Sequence, residues 1–238
     1  MSESETFKYG TLFCGDAREL IKNAEDGSVD LILTDPPYGL EADEFDKPDV
    51  FYEIEDELYR VAKPDAWLVF FNAIGKFPQI FSLKKFNYVW VMTDIIFAST
   101  TLSYGPLGLV RYRPIFVFKK GSPRIFKSHP DVFWAEELPD VERVRDAQAK
   151  STFICAKLLE MFSEEGQTVL DPFAGYGSIP LVCELYGRRW MGFEIDYRKY
   201  QKAVRFIRYF GKVKWEREKE ISSSQLSLRG WRQNENSL

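Results

Sequence analysis

The sequence predicts a single α/β domain with a doubly wound, mainly parallel sheet. Short apolar runs alternate with helical patterns along most of the chain, and several runs end in a proline or glycine turn. The chain has 238 residues, 45% of them hydrophobic and 16% aromatic, which is enough to bury one sizeable core. We place the domain over residues 7–210 and expect a loosely held polar arm over residues 211–238.

The first half of the domain contains four predicted strands and one predicted helix. The run from Val29 to Thr34 is short and aliphatic, which is typical of a buried parallel strand. Residues 50–62 have the apolar spacing of a helix, and Pro64 ends this helix before a strand over Trp67 to Phe71. Two further runs predict strands, from Tyr88 to Phe97 and from Ile115 to Phe118.

The second half continues the alternation of helices and strands. Thr152 to Phe162 has helical spacing, and Val169-Leu170 is the core of the next strand. A glycine-rich turn then leads into a helix near Ile179 to Tyr186. The domain closes with a strand over Trp190 to Glu194 and an amphipathic helix over Tyr197 to Tyr209.

Two unusual turns directly follow two of the predicted strands. Asp35-Pro36-Pro37-Tyr38 follows the strand that ends at Thr34, and Asp171-Pro172-Phe173-Ala174-Gly175-Tyr176-Gly177 follows Val169-Leu170. In a parallel α/β sheet, ligands bind at the carboxyl ends of the strands. We therefore expect both turns at one edge of the sheet, close enough to form a single site.

The glycine turn has the features of a site for an adenosine ligand. Glycine lacks the Cβ that blocks close approach, and the N–H groups at the start of the following helix attract anionic oxygens. Glu194 ends the next strand, where a carboxylate can accept both ribose hydroxyl hydrogens. A nicotinamide or flavin site is the alternative, but Pro180 stands where the third glycine of a dinucleotide motif is expected.

Together the two turns resemble those of a known enzyme family. Asp-Pro-Pro-Tyr is similar to the catalytic loop of methyltransferases that act on amino groups of nucleic-acid bases, and Phe-x-Gly-x-Gly is similar to their S-adenosylmethionine loop. With the catalytic loop first, the chain resembles the beta class of DNA amino-methyltransferases, in which the motif order is circularly permuted. The resemblance covers roughly residues 10–210. It also includes Phe45-Asp46-Lys47 and Arg60 to Pro64, and it fails at Trp90-Val91-Met92 and Arg113-Pro114.

The resemblance implies a Rossmann-like fold, S-adenosylmethionine as cofactor, DNA as partner and a setting in restriction-modification. Lys150 opens a segment that in the family packs over the methionine end of the cofactor, although Ser151 replaces a proline of the family pattern. Asp16 resembles a residue that holds the adenine, with a helix N-cap for residues 17–23 as the alternative. The predicted cofactor-binding residues are Asp16, Lys150, Ser151, Thr152, Asp171, Phe173, Ala174, Gly175, Gly177, Ser178, Glu194 and Asp196.

The proline turn suits methyl transfer to an exocyclic amine. The lone pair of such a nitrogen is conjugated into the ring, so acceptors must draw on its hydrogens. The Asp35 carboxylate and the Pro36 carbonyl can each accept one N–H, and the two prolines fix the backbone that positions them. Tyr38 provides a face for the base to stack on. We predict Asp35, Pro36, Pro37 and Tyr38 as catalytic residues, with a rigid turn after a strand as the structural alternative.

Positive charge on the chain is local, because the net charge is −4 and the pI is near 5.3. The stretch from Arg111 to Lys127 has no acidic residue, which indicates a phosphate-binding strip; a strand with solvated basic ends is the alternative. A short target-recognition insert is expected over residues 121–149. Its length leaves open a short recognition site, a homodimer and a single-stranded substrate. The predicted DNA-binding residues are Arg111, Arg113, Lys119, Lys120, Arg124 and Lys127.

Other function classes are disfavoured. The three cysteines are widely spaced and none follows a proline, which argues against disulfides, a metal site and methylation at cytosine C5. No apolar run approaches the ~20 residues of a membrane span, so we expect a cytoplasmic protein. The resemblance implies adenine N6 rather than cytosine N4 as the target, because Asp35 heads the loop where cytosine enzymes of this family more often carry serine. An RNA amino-methyltransferase and an inactive DNA- or cofactor-binding protein stay open as alternatives.

Overall fold

A computed structural model describes residues 3–39, 49–95, 104–105, 108–134 and 150–212. Four sequence predictions of motifs or segments lie wholly or partly outside these ranges: the similarity at Phe45-Asp46-Lys47, residues 96–97 of the predicted strand Tyr88 to Phe97, residues 135–149 of the expected insert, and residues 213–238 of the arm. Within the described ranges, no helix has the length and apolar character needed to cross a membrane.

The described residues form alternating strands and helices, together with short 3-10 helices at Ile21–Asn23 and Ile74–Ser82. In chain order the elements are β1 (Ser4–Thr6), β2 (Gly10–Cys14), α1 (Ala17–Leu20), β3 (Val29–Thr34), α2 (Val50–Glu53), α3 (Glu55–Val61), β4 (Ala62–Phe71), β5 (Asn87–Ile95), β6 (Tyr104–Gly105), β7 (Gly108–Leu109), β8 (Tyr112–Lys120), β9 (Val132–Trp134), α4 (Thr152–Phe162), β10 (Thr168–Asp171), α5 (Ser178–Leu185), β11 (Arg189–Glu194) and α6 (197–212).

The main sheet has nine strands in the order β1-β2-β11-β10-β3-β4-β8-β5-β9, and β6 pairs with β7 in a separate ribbon. The five central strands from β2 to β4 are parallel, whereas β8 is antiparallel to both β4 and β5. The carboxyl ends of these parallel strands and of β5 therefore lie at one edge of the sheet, together with the first residues of β8. We call this edge the carboxyl edge and the opposite one the amino edge.

Two hydrophobic clusters cover the two faces of the sheet. Leu31 and Leu33 of β3 belong to the cluster with α4, α5 and α6, whereas Ile32 belongs to the cluster with α1, α2 and α3. Every residue of β3 is buried, because side chains of a strand alternate between faces that are both covered. The burial confirms the α/β fold that was predicted from alternating elements.

The observed boundaries equal the predicted ones at β3 and α4 and lie within one residue of them at α5 and β11, but they differ more at other elements. The predicted helix over residues 50–62 is two short helices that meet at Ile54. β4 begins at Ala62, so Pro64 lies inside the strand and not before it. Proline is tolerated there because the pairing with β3 shifts register between Val29 and Leu31, which interrupts the ladder. β1 and β2 precede the strand that we took as the first.

Candidate active site

The proline turn and the glycine turn leave adjacent strands at the carboxyl edge. β3 pairs with β10 in parallel, with Ile32 opposite Leu170. The Thr34 hydroxyl donates a hydrogen bond of 2.7 Å to Asp171 Oδ1, and both residues are buried. This bond joins the last residue before the proline turn to the first residue of the glycine turn. The expected meeting of the two turns is therefore observed.

Asp35 is held by two side chains. Lys150 Nζ forms an ion pair with Asp35 Oδ2, and the Tyr38 hydroxyl donates to Oδ1. The lysine side chain is only 7% exposed and the aspartate side chain 22%. Lys150 Nζ also lies 5.3 Å from the centroid of the Tyr38 ring and 5.5 Å from that of Phe71. The carboxylate, an ammonium group and an aromatic face thus share one small volume.

Burial changes the acid–base properties of this cluster. Desolvation lowers the pKa of Lys150, opposed by the Asp35 carboxylate and assisted by the positive charge of Arg113. Desolvation raises the pKa of Tyr38 well above its usual range, and the charge of Asp35 adds to this effect. Tyr38 is therefore a neutral donor at physiological pH, while Lys150 is closer to neutrality than an exposed lysine.

A second buried ion pair lies beside the first. Arg113 Nε donates to Asp94 Oδ2 at 2.9 Å, and Asp94 is fully buried. Arg113 is the second residue of β8, and Asp94 lies opposite it near the end of β5. Burial alone lowers the pKa of Arg113, but Asp94, Tyr38 and Asp35 outweigh it and leave the pKa raised. The guanidinium is a fixed positive charge at the carboxyl edge.

The glycine turn requires glycine at two positions for different reasons. Gly175 (φ 54°) and Gly177 (φ 85°) adopt left-handed backbone conformations. A Cβ on Gly177 would approach Ala203 Cβ of α6 to 3.0 Å, so this glycine permits close helix packing. A Cβ on Gly175 would meet no heavy atom within 4 Å. Gly175 therefore faces open space, where a bound molecule can approach the backbone.

Glu194 connects the glycine turn to the neighbouring strand ends. Its Oε2 accepts from the Gly175 N–H at 2.7 Å, and its Oε1 accepts from the Asp196 N–H at 2.8 Å. Burial raises the pKa of Glu194, although these two N–H groups act in the opposite direction. The Glu194 carbonyl oxygen accepts from the Gly15 N–H at 2.9 Å, which brings the β2 turn to the same place.

Several predicted cofactor residues have structural contacts at the start of helices. Asp16 is the N-cap of α1 and accepts from the Arg18 N–H at 2.9 Å, as the alternative interpretation expected. Asp196 accepts from the Arg198 N–H at 2.7 Å at the start of α6. Ser151 caps α4, which begins at Thr152. All three caps lie at the carboxyl edge around the glycine turn.

The remaining members of the predicted cofactor set lie in or beside the glycine turn. The Phe173 N–H donates to Asp171 Oδ1 at 3.2 Å, and the Ala174 N–H donates to the Phe193 carbonyl at 2.8 Å. Ser178 Oγ donates to the Lys150 carbonyl at 3.0 Å. Lys150 is thus fixed by its backbone to the glycine turn and by its side chain to Asp35.

The six predicted DNA-binding cations are not brought together. Arg111 and Arg113 lie at or next to the start of β8, at the carboxyl edge, whereas Lys119 and Lys120 end this strand at the amino edge. Lys120 Nζ donates to the Tyr59 and Ala62 carbonyls at 2.7 and 2.8 Å. The other two form ion pairs near the end of α4, Arg124 with Glu164 at 2.7 Å and Lys127 with Glu160 at 3.0 Å.

Comparisons with known proteins identify relatives of this chain. Residues 130–205, which include Lys150, the glycine turn and Glu194, match the N6/N4 DNA methylase family. Type II methyltransferase M.BamHI of Bacillus amyloliquefaciens is 28% identical over 234 residues, 78% of this chain. DNA adenine methyltransferase YhdJ of Escherichia coli (strain K12) is 27% identical over 237 residues, 78% of either chain. The chain is thus similar, over residues 130–205, to the N6/N4 DNA methylase family.

A solved structure supports the same fold. PvuII DNA methyltransferase, described as cytosine-N4-specific, superposes with a TM-score of 0.71 at 16% sequence identity, covering 88% of this chain and 93% of that one. The chain spans about half the length of M.BamHI, since the matched region covers 54% of that protein. The resemblance predicted from the two turns is confirmed at the level of the N6/N4 family.

The sequence analysis did not predict three buried polar residues of this site: Thr34, Asn72 and Asp94. Asn72 follows β4, where its backbone N–H donates to the Pro114 carbonyl at 3.0 Å and its Oδ1 accepts from Ala73 at 2.8 Å. Each of the three lies at the carboxyl end of an apolar strand or directly after it. That pattern is visible in the sequence and identifies residues at the carboxyl edge.

Proposed function

We propose that this chain transfers a methyl group from S-adenosylmethionine to the exocyclic amino group of a base in DNA, with adenine N6 the favoured target. The observation that carries the proposal is the hydrogen bond between Thr34 and Asp171, which fixes the Asp-Pro-Pro-Tyr turn beside the glycine turn. A donor molecule at one turn and a base at the other would then be neighbours. The similarity of residues 130–205 to the N6/N4 DNA methylase family supports the same chemistry.

The residues at the glycine turn fit the proposed cofactor. Gly175 faces open space, and Glu194 provides buried carboxylate oxygens suited to ribose hydroxyls. Asp171 Oδ2 is buried and has no hydrogen-bond partner in the described part of the chain, so it suits the ammonium end of the cofactor. The cofactor supplies a methyl group on a positively charged sulfur; the C–S bond breaks as the new C–N bond forms, and its electron pair stays on sulfur.

Asp35, Pro36 and Tyr38 are proposed to hold the target base. The amine donates one N–H to Asp35 and one to the Pro36 carbonyl, which draws the nitrogen towards tetrahedral geometry. Tyr38 stacks on the ring. A base in duplex DNA must be flipped out, at a cost of a few kcal/mol that the contacts in the pocket offset. Because both Asp35 oxygens already accept hydrogens from Lys150 and Tyr38, the amine must replace or share one of these contacts.

The preference for adenine rests on the aspartate at the head of the proline turn. Relatives of both kinds occur, since YhdJ is named an adenine methyltransferase and PvuII methyltransferase is described as cytosine-N4-specific. Cytosine N4 is accordingly the second candidate target. Adenine and cytosine both offer an exocyclic amine beside a ring-nitrogen acceptor, which is why one turn can serve either base.

The proposed DNA contact surface is the carboxyl edge, where the flipped base must enter. Of the six cations predicted from the sequence, Arg111 and Arg113 lie nearest to that edge, and Arg113 acts electrostatically on Asp35 and Tyr38. Cations at the amino edge would require a DNA path around the far side of the domain. We propose double-stranded DNA as the substrate, with single-stranded DNA and a homodimer as alternatives. Assays on both forms of DNA and the mass of the protein in solution distinguish them.

The proposal is tested by incubating the protein with methyl-labelled S-adenosylmethionine and, in separate reactions, plasmid DNA, single-stranded DNA and total RNA. Digestion to nucleosides identifies the product. We expect N6-methyl-2′-deoxyadenosine from DNA, and none with Asp35→Ala. Label in cytosine N4 would change the target, and label confined to RNA would overturn DNA as the partner. Cofactor binding without any transfer would favour the inactive binding protein.

A further inference from the structure

Lys150 has a position that cofactor binding alone does not explain. Its side chain is 7% exposed, and its ammonium contacts the carboxylate predicted to hold the target amine. The Ser178 hydroxyl, at the start of α5, holds the Lys150 carbonyl at 3.0 Å. The residue is therefore fixed to the cofactor side by its backbone and extends its charged group to the base side. An ordinary surface counter-ion would be neither buried nor anchored.

The charges around Lys150 come from each element packed against it. Asp35 and Tyr38 face it from the turn after β3, Arg113 from β8, and Cys155 from α4. Arg113 is itself paired with Asp94 of β5. The only carboxylate in direct contact with Nζ among the described residues is Asp35. Loss of the Lys150 proton is thus favoured by burial and by Arg113, and opposed chiefly by Asp35.

We propose that Lys150 accepts, through Asp35, the proton that the target amine loses during methylation. After the C–N bond forms, the nitrogen carries two hydrogens and a positive charge. One proton passes to Asp35, which becomes a neutral carboxylic acid, and then from Asp35 to the neutral amine of Lys150. The result is an aspartate and an ammonium, which is the ion pair that the structure contains. The proposal rests on the proposed function, because it requires an amine substrate at Asp35.

Lys150 must be neutral before each transfer, and positive charges in the buried site favour the loss of its proton. S-adenosylmethionine held at the glycine turn would add the positive charge of its sulfonium group to those of Lys150 and Arg113. Like charges in a poorly solvated site disfavour protonation, so the lysine is the group that can release its proton. Arginine cannot fill this role, since it stays charged at any pH at which proteins are stable. This difference separates a proton acceptor from a simple counter-ion.

The first test compares Lys150→Arg with wild type in single-turnover methyl transfer. Lys150→Arg keeps a positive charge against Asp35 but cannot accept a proton, so the transfer rate should fall about 10²- to 10⁴-fold. The matched control is Lys63→Arg, which alters the lysine paired with Asp30 at the other end of β3 and should leave the rate unchanged. A Lys150→Arg rate within threefold of wild type would show that Lys150 is only a counter-ion.

The second test measures protons directly and does not depend on activity. The protein is titrated, in weak buffer with a pH indicator, with S-adenosylmethionine and with S-adenosylhomocysteine, which lacks the positive charge. Wild type should release up to one proton per site with the charged ligand and markedly fewer with the neutral one. Lys150→Arg and Lys150→Met, each checked for an unchanged melting curve, should lose this difference.

Equal proton release with both ligands, or a difference that survives in Lys150→Arg, would overturn the role of Lys150. An inactive wild type with the expected proton release would instead overturn the proposed function and leave the titration of Lys150 in place. The two proposals can therefore fail separately. Lys63→Arg serves again as the control, because its proton release should equal that of wild type.

Discussion

The two ends of β3 carry the same pair of residue types in different surroundings. At the amino end, Lys63 Nζ lies 2.7 Å from Asp30 Oδ1, and the lysine side chain is 37% exposed. Asp30 also accepts from the Thr168 N–H at 2.9 Å and from Gln167 Nε2 at 3.3 Å. At the carboxyl end, Lys150 pairs with Asp35, and there the lysine side chain is 7% exposed.

The two carboxylates differ in the groups that donate hydrogen bonds to them. Asp30 is bound by a backbone N–H of the neighbouring strand, so its contacts belong to the fold. Asp35 is bound by two side-chain donors, Lys150 and Tyr38, which a substrate amine can replace. An aspartate–lysine pair alone therefore indicates nothing about function. Function is indicated by three further features of the Asp35–Lys150 pair: it is buried, it lies at the carboxyl edge, and a substrate can replace the partners of its carboxylate.

The largest effect is expected from removing each aspartate in turn. Asp35→Ala should reduce methyl transfer by about 10³-fold or more, because the amine loses its charged acceptor, while cofactor affinity stays within a few-fold. Asp30→Ala should lower the melting temperature and leave the rate per folded molecule within about threefold. Single-turnover kinetics and thermal unfolding of both variants check this pair. Equal losses of rate would remove the functional distinction between the two ends.

Arginine–carboxylate pairs give a parallel comparison for stability. Arg113→Ala leaves Asp94 buried and unpaired at the carboxyl edge, which should cost about 3–5 kcal/mol of unfolding free energy. Arg124→Ala breaks an exposed pair with Glu164 near the amino edge and should cost about 0–1 kcal/mol. Denaturant unfolding measures both. A small effect of Arg113→Ala would mean that Asp94 finds another partner or accepts a proton.

Two glycines test the same contrast on β10. Gly166 (φ 81°) precedes the strand and Gly175 (φ 54°) follows it, and an added Cβ has no neighbour within 4 Å at either position. Alanine should cost each about 1–2 kcal/mol of stability through backbone strain. Only Gly175→Ala should weaken S-adenosylhomocysteine binding, by about tenfold. Calorimetry on both variants measures this, and equal affinities would place the ligand away from Gly175.

A further expected effect is a pH dependence of stability. Burial raises the pKa of the Asp171 carboxyl from the ordinary 3.8 to about 7. The folded protein then holds this proton more tightly than the unfolded chain does. The contribution of Asp171 to stability is therefore full below about pH 4 and is lost as the pH rises to about 7.

Asp171→Asn isolates this contribution, because the asparagine does not titrate. The unfolding free energy of wild type minus that of Asp171→Asn should fall between about pH 4 and pH 7 and level off above. Denaturant titrations at several pH values provide the difference. A difference that is flat or rises with pH would contradict a raised pKa for Asp171.

The parts of the fold that local sequence determines were predictable. The aliphatic run of β3, the helical spacing of α4 and the glycine turn before α5 each depend on neighbouring residues, and the structure has them where expected. The antiparallel direction of β8 was not predicted, because an apolar run looks the same in either direction. β2 was missed since its five residues are mostly half-buried and lack a clear alternation.

The sequence predicted the motifs that form the site, but it did not predict the side-chain contacts between them. Asp35 and Gly175 stand in recognisable turns, and strand topology alone brings them together. The resemblance assigned Lys150 to the cofactor, and no sequence pattern indicated that its ammonium reaches Asp35. The pairing of Arg113 with Asp94 depends on the register of β8 against β5, which only tertiary structure sets. Side-chain pairing between distant segments is the part that sequence analysis could not supply.

The convergence of the two turns on one reaction is tested most directly by a crystal structure with bound S-adenosylhomocysteine. The account predicts the ligand at the carboxyl edge, with its ribose hydroxyls on Glu194, its ammonium near Asp171 and its sulfur facing the volume between Asp35 and Tyr38. A ligand bound at the amino edge, or one whose sulfur is turned away from Asp35, would contradict it.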